Sequence, residues 1–308
     1  MRTAPIALPA LFALLASLAS LASLALSVVG AVPAEAQAPV RVLSFNIRYG
    51  TADDGDHAWP KRRAHVAATV RDHAPHILGV QEALRFQLDE LGAALTGSTA
   101  GYREVGVGRD DGRTAGEYSP LLVDTTRFAV LEEGTFWFSD TPEVAGSASW
   151  GNTIPRICSW ARLADRATGD TVRAYNVHWD HVSQPSREKS AELLLRRIAT
   201  HGGRGDAVLV LGDFNSDEAN PAYRALLADT AAGLRDTFRA AHPGAASAGT
   251  FHGFRGDSSG GKIDFVLAGA GWRVLDASVD RRRFGALWAS DHFAVSATLR
   301  REEWDGGR

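Results

Sequence analysis

Beyond residue 36, short runs rich in β-branched and aromatic residues are separated by polar breaks. Between some of these runs, apolar residues recur at a spacing of three to four. The first habit predicts strands at 40–47, 77–80, 102–107, 121–123, 129–138, 157–163, 171–177, 207–211, 263–267, 272–279 and 293–299. The second predicts amphipathic helices at 59–71, 84–95 and 186–200. Asn220-Pro221 reads as an N-cap and first-turn proline opening a helix that runs to Leu227. Elements therefore follow as strand, helix, strand, helix, several strands, then strand, helix, strand, helix, and strands to the end. That order predicts an α/β fold of two βα-containing halves, their sheets packed face to face with helices outside.

Polar residues collect where these strands end. Ser44-Phe45-Asn46 closes the first and Gln81-Glu82 the second. Asn176-Val177-His178-Trp179-Asp180 closes a later one, with Asn176, His178 and Asp180 alternating onto one face. The apolar run 208–211 delivers Asp213 and Asn215, two apart and so on a shared face if the chain stays extended. A carboxylate that can hold a water and an amide that can donate to a phosphoryl oxygen then project together, as phosphoryl transfer requires. Taken singly, each such residue reads more readily as a turn former or helix cap. Together, Asn46, Glu82, His178, Asp180, Asp213, Asn215, Asp264, Asp291 and His292 offer hard oxygens and two imidazoles, with no cysteine set. Such donors suit Mg²⁺ or Mn²⁺ rather than structural zinc. Asp264 is suited by type to orient His292 through its ring N–H. Asp291 and His292 are adjacent, so both can enter one site only if the segment leaves regular strand geometry.

Composition sets outer bounds. The 308 residues are 45% hydrophobic and 22% charged, enough for a large core, and no linker or low-complexity tract divides 37–308. A single domain is expected there. Residues 1–36 read as a secretory signal: a basic start, an apolar stretch over 6–32, and Ala34-Glu35-Ala36 as a small-x-small cleavage site. The expected location is secreted or periplasmic, though the apolar stretch is also long enough to serve as an uncleaved N-terminal anchor. Cys158 is the sole cysteine, which excludes an intramolecular disulfide and reads as a small buried hydrophobe. A formal net charge of −3 gives no basic footprint for nonspecific duplex binding. No feature marks an obligate protein partner, and a monomer is expected.

Taken in order, Ser44-Phe45-Asn46, Gln81-Glu82, Asn176-Val177-His178, Gly212-Asp213-Phe214-Asn215, Ile263-Asp264 and Ser290-Asp291-His292 resemble the endonuclease/exonuclease/phosphatase superfamily, the deoxyribonuclease I-like fold. The resemblance spans the whole chain after the signal. It implies a four-layer α/β/β/α sandwich with one active site at the strand ends where the sheets meet, and Mg²⁺-dependent (Mn²⁺ possible) phosphoester cleavage. By the same resemblance Glu82 is the principal metal ligand, with Asn46 and Asp291 near the ion or its waters. Asp213 orients or deprotonates water, and Asn215 holds a phosphoryl oxygen. His292, paired with Asp264, binds phosphate or acts as base, while His178 stabilises charge or protonates the leaving oxygen. Glu117, before Tyr118-Ser119-Pro120, resembles a glutamate that some secreted relatives set beside the first catalytic histidine. Further segments, including Pro155-Arg156-Ile157-Cys158 and Thr250-Phe251-His252-Gly253, resemble a secreted bacterial branch. They place Arg156 and His252 as phosphate or leaving-group contacts, with Asn176 and Asp180 on the substrate side.

The expected activity is a secreted metal-dependent phosphoester hydrolase. A small phosphodiester or phosphomonoester, such as a sugar phosphate, inositol phosphate or lipid headgroup, ranks slightly ahead of nucleic acid. The reasons are the missing basic surplus and the lack of an aromatic-interleaved basic stripe. A secreted nuclease and a lipid-headgroup phosphodiesterase are the alternatives within enzymes. A non-catalytic binding module is the alternative outside them, disfavoured because Glu82, Asp213 and His292 are all present.

Overall fold

The β-branched run at Val40–Asn46 forms the first strand, β1, and its two edges set the first sheet. A computed structural model of the chain describes Met1 and residues 38–302 except 97–100, 202, 204 and 247. The segment read as a signal or anchor therefore lies, apart from Met1, outside the described residues. Among the described residues no helix is long and apolar enough to cross a membrane.

In chain order the first half runs β1, α1 (Trp59–His73), β2 (Ile77–Gln81), α2 (Arg85–Leu95), β3 (Tyr102–Val105) and β4 (Leu121–Asp124). There follow β5 (Phe128–Trp137), β6 (Ile157–Asp165), β7 (Thr171–His178), α3 (Gln184–Thr200), β8 (Ala207–Asp213) and α4 (Pro221–Ala228). The chain closes with β9 (Arg235–Asp236), α5 (Thr237–Ala241), β10 (Asp264–Ala268), β11 (Trp272–Asp280) and β12 (Ala294–Arg301). The strands make two six-stranded sheets, ordered β11-β12-β1-β2-β4-β3 and β5-β6-β7-β8-β10-β9.

Three apolar clusters separate four layers, as the α/β sandwich reading requires. Val42, Ile77, Leu209, Leu211, Val266 and Val295 pack between the sheets. Leu43, Val66, Leu78 and Leu91 lie between the first sheet and α1 with α2. Tyr175, Leu194, Val210, Tyr223 and Phe265 lie between the second sheet and α3 with α4. Strands covered on both faces explain why β2 and β8 are buried throughout and read as continuous apolar runs.

Register brings the polar strand ends together. β1 and β2 run parallel, with Asn46 opposite Gln81. β7 and β8 run parallel, with His178 opposite Asp213, and β10 runs antiparallel to β8, with Asp264 opposite Asp213. Gly212 is what lets β8 deliver Asp213: at φ +149, a Cβ there would sit 2.1 Å from the Val177 carbonyl oxygen, which no side chain tolerates.

The predicted elements all form, with shifted ends. The strand expected over 102–107 stops at Val105, because Gly106 turns away at φ +144. β9, α5 and a 3-10 turn at Gly55–His57 were not predicted, being only two to five residues long. Asp236 caps α5 by accepting from the Phe238 and Arg239 N–H groups.

Candidate active site

At the shared strand ends lies a cavity of about 740 Å³, walled by residues of both sheets. Its floor is a buried hydrogen-bonded group. Asn46, at the end of β1, donates from Nδ2 to Glu82 Oε1 (2.9 Å) and to Asp213 Oδ2 (3.0 Å). Its Oδ1 accepts from the Arg48 N–H at 3.0 Å, so both ends of the amide are fixed. His292 Nδ1 meets Asp264 Oδ2 at 2.9 Å, while its Nε2 points to Asp213 Oδ2 at 3.8 Å. His178 Nε2 approaches the same Asp213 oxygen at 3.7 Å. Asp213 thus stands between two imidazoles, with its Oδ1 accepting from the Asn215 N–H.

The electrostatics follow from burial and neighbours. Burial, helped by the Asp264 charge, pushes the Asp213 carboxyl up to about 7, against the pull of His292 and the Asn46 hydrogen bond. For His292, burial alone would favour the neutral ring. Asp264, Asp213 and Asp291 outweigh it and hold the imidazole well above its ordinary value. His178 goes the other way: burial, then the Arg156 and Arg109 charges, hold it well below. Arg156 Nη1 lies 3.1 Å from His178 Nε2. A guanidinium only donates, so this nitrogen accepts and the ring proton sits on Nδ1, facing Glu117 Oε2 at 3.9 Å. Burial likewise raises the Glu117 carboxyl, although Arg109 holds it through two 2.8 Å hydrogen bonds.

The donor set fits a hard divalent cation. Glu82, His178 and Asp213 each bring a ligand atom within 4.8 Å of the others, as do Asp213, Asp264 and His292. Burial and the charge of Glu82 raise the Asp291 carboxyl as well, despite the opposing pull of His292. Clustered buried carboxyls that resist ionisation are what a bound cation would relieve.

Backbone strain concentrates here. Six described non-glycine residues have φ between +41 and +61, and four of them line the cavity: Arg48, Glu82, Asn215 and Phe254. Such conformations cost on the order of 1 kcal/mol each and persist where surrounding contacts enforce them.

Of the residues expected from sequence, Glu82, Glu117, Arg156, His178, Asp213, Asn215, Asp291 and His292 line the cavity. Asn46 and Asp264 lie directly beneath, bonded to them. Asn215 arrives differently from the extended geometry expected. β8 ends at Asp213, Asn215 turns left-handed, and its Nδ2 donates to the Trp179 carbonyl at 2.9 Å. Asn176, Asp180 and His252, expected on the substrate side, are instead behind the wall. Asn176 donates to the Val80 and Pro120 carbonyls across the sheet interface and accepts from Gln81. Asp180 accepts from the Val182 and Ser183 N–H groups at the start of α3 and pairs with Arg156 Nε at 3.4 Å. His252 stacks on Phe293 with ring centroids 4.0 Å apart, its Nδ1 accepting from the Gly256 N–H. Cys158 is fully buried, as expected, and burial raises its thiol well above the ordinary value.

Sequence reasoning missed several wall residues. Arg48 pairs with Asp54 at 3.1 Å and lies 3.8 Å from Asp291. Its position two after Asn46 was the available signal. Arg109 and Tyr49 sit in loops and carried none. Arg62 is buried in α1 and holds the loops around the floor. It donates to the carbonyls of His57 (2.9 Å), Arg48 (2.9 Å), Ala289 (3.2 Å) and Ile47. Its signal was a charge in apolar register with Trp59, Val66 and Val70.

Two mixed sheets packed face to face, with one acid-and-imidazole cavity at their common strand ends, define the class of fold and site. The chain belongs to the Endonuclease/Exonuclease/phosphatase family, matching it over residues 43–292. An endonuclease/exonuclease/phosphatase from Bacteroides vulgatus is 35% identical, with a TM-score of 0.78, over 86% of this chain and 100% of its own. A mannosyl-6-phosphatase from Bacteroides thetaiotaomicron is 30% identical, with a TM-score of 0.75, over 84% and 99% respectively. The human Nocturnin catalytic domain shares the fold at 15% identity and a TM-score of 0.64, over 86% of this chain and 94% of its own. No curated protein matches the sequence.

Proposed function

We propose that the protein is a divalent-metal-dependent phosphoesterase, exported from the cell, that hydrolyses a small organic phosphate, with a phosphorylated sugar as the leading class. The observation that carries this reading is Asp213 poised between His178 and His292 on the floor of one cavity. Glu82, with Asp291 and the Asn46 amide beside it, would hold the ion, which supplies Lewis-acid polarisation of a phosphoryl oxygen. Asp213, standing between the two imidazoles, accepts the proton of the attacking water. His292, kept cationic by Asp264, donates from Nε2 to the phosphoryl group. His178, kept neutral, acts beside Arg156 as an uncharged part of the same wall.

Two observations favour a small substrate over a polynucleotide. Arg48, Arg109 and Arg156 are each tied to a carboxylate, Asp54, Glu117 and Asp180 respectively. Forks held this way suit one phosphate in a pocket rather than a backbone tracked along a groove. The other support is the 30% identity to a mannosyl-6-phosphatase over nearly its full length.

The test is a panel of hexose phosphates, other phosphomonoesters, phosphodiesters, phospholipids and nucleic acids, with Mg²⁺ or Mn²⁺ and with Asp213→Ala as blank. Hydrolysis of phosphomonoesters is expected, abolished by EDTA and restored by either ion. Full activity after metal stripping, or turnover confined to nucleic acid, would overturn the reading.

A further inference from the structure

We propose that Phe251 and Phe254 form a leaving-group platform that binds the C–H face of a sugar ring, making the enzyme selective for cyclic sugar phosphates over linear ones. The inference rests on the phosphoesterase reading above and names the part of the cavity that recognises the alcohol. Besides arginines and carboxylates the cavity is lined by Phe251 and Phe254, which stand on the loop between α5 and β10.

Phe251 is one of the few large apolar side chains left exposed, at 45%, and its ring centroid lies 5.0 Å from that of His292. An apolar ring exposed on a convex surface means little, but one facing into a polar cavity beside a catalytic imidazole offers a specific contact. Its position is fixed by backbone bonds. Phe251 bridges to His292, the Phe293 N–H donates to the Thr250 carbonyl, and the N–H groups of His252 and Gly253 donate to the Asp291 carbonyl.

Phe254 adds an independent observation. It holds φ +61, a conformation that a bulky residue adopts only under constraint, directly after Gly253 at φ +54. Glycine would relieve that strain, yet a phenylalanine occupies the position and lines the cavity. One ring face is covered by His57, stacked at 4.4 Å and 6°. The Arg62 guanidinium lies 5.8 Å from the ring centroid. The ring is thereby held in place in the cavity wall.

An aromatic π face is negative and attracts the weakly positive C–H bonds on the flat side of a pyranose. In a hexose 6-phosphate, only the ester oxygen and one exocyclic carbon separate that ring from phosphorus. A phosphate held at His292 therefore carries the sugar onto the neighbouring Phe251. A linear polyol phosphate brings no rigid face and leaves the platform unused.

The experiment compares kcat/KM on a hexose 6-phosphate, glycerol 3-phosphate and a nucleoside 5′-monophosphate for the wild type, Phe251→Ala and Phe254→Leu. Phe251 is exposed, so its truncation leaves folding intact, and Phe254→Leu keeps an apolar side chain at its position; melting curves check both. The wild type is expected to prefer the hexose phosphate. Each variant should lose about 3- to 10-fold more on it than on glycerol 3-phosphate, the size of one aromatic contact. Equal losses on all substrates, no loss on any, or a loss confined to the nucleotide overturn the platform while leaving the phosphoesterase reading in place. Failure of the wild type to hydrolyse any of the three overturns both.

Discussion

His292 and His178 share one cavity, stand at almost equal distances from one Asp213 oxygen, and are held in opposite charge states. The difference is local. His292 faces the carboxylates of Asp264, Asp213 and Asp291, whereas His178 accepts from a guanidinium, and each neighbour set wins over or adds to the common effect of burial. Asp264 is consequently part of the His292 function rather than a separate group. His292→Ala and Asp264→Asn are each expected to lower kcat by about two orders of magnitude, as loss of a positioned cationic donor does. The double variant should be little worse than either single one, since parts of one unit are non-additive. Steady-state kinetics on the best substrate decide it; losses that multiply would separate the two residues.

Among elements, Arg62 from α1 joins the loops after β1 and before β12 through its hydrogen bonds to their carbonyls. Among the described residues no carboxylate lies within salt-bridge distance of its buried guanidinium, and burial lowers its pKa to about 10. Four carbonyls from three segments take the charge instead, which ties Asn46 and Arg48 to the segment carrying Asp291. Arg62→Lys keeps the charge but cannot span that set with a single ammonium. It is expected to raise the Mg²⁺ concentration for half-maximal activity about 10-fold, the effect of losing an outer support of a metal site. A folded Arg62→Lys protein with an unchanged metal response would assign Arg62 to packing alone.

At the level of the whole molecule, the cavity exists only because the two sheets are locked in one relative position. Asn46 and Glu82 come from the first sheet's strand ends, and His178, Asp213 and Asp264 from the second's. The lock is polar and buried: Gln81 Nε2 donates to Asn176 Oδ1 at 2.6 Å, and Asn176 Nδ2 donates to Val80 and Pro120. Space for it comes from Gly79, where a Cβ would lie 2.7 Å from Asn176 Oδ1. Asn176→Ala leaves buried partners unpaired and is expected to cost about 3 kcal/mol. That corresponds to a Tm lower by roughly 6–12 °C for a domain of this size. Activity of the folded fraction should persist, because Asn176 does not reach the cavity; thermal melting and kinetics below the transition measure the two effects separately. An inactive variant with an unchanged Tm would return Asn176 to the substrate side.

What the sequence by itself determined was the kind of layers and the chemistry at their edge. Runs such as 207–211 can only be covered strands, and polar residues repeated at strand ends signal a site. Asp264 and His292 paired by type as expected because an imidazole among carboxylates has few other stable arrangements. Depth was not legible. Asn176 and His178 share a face by the two-residue period, yet one step along β7 separates a rivet under the first sheet from a group on the cavity wall. Arg62 was hidden for the opposite reason, since a charge in an apolar register reads as a flaw until the carbonyls that take it are brought together from distant segments. The tertiary structure alone decided which polar residues face solvent-filled space and which face backbone. Local pattern specifies the face of a strand, while distance from the sheet edge depends on how the two sheets are offset.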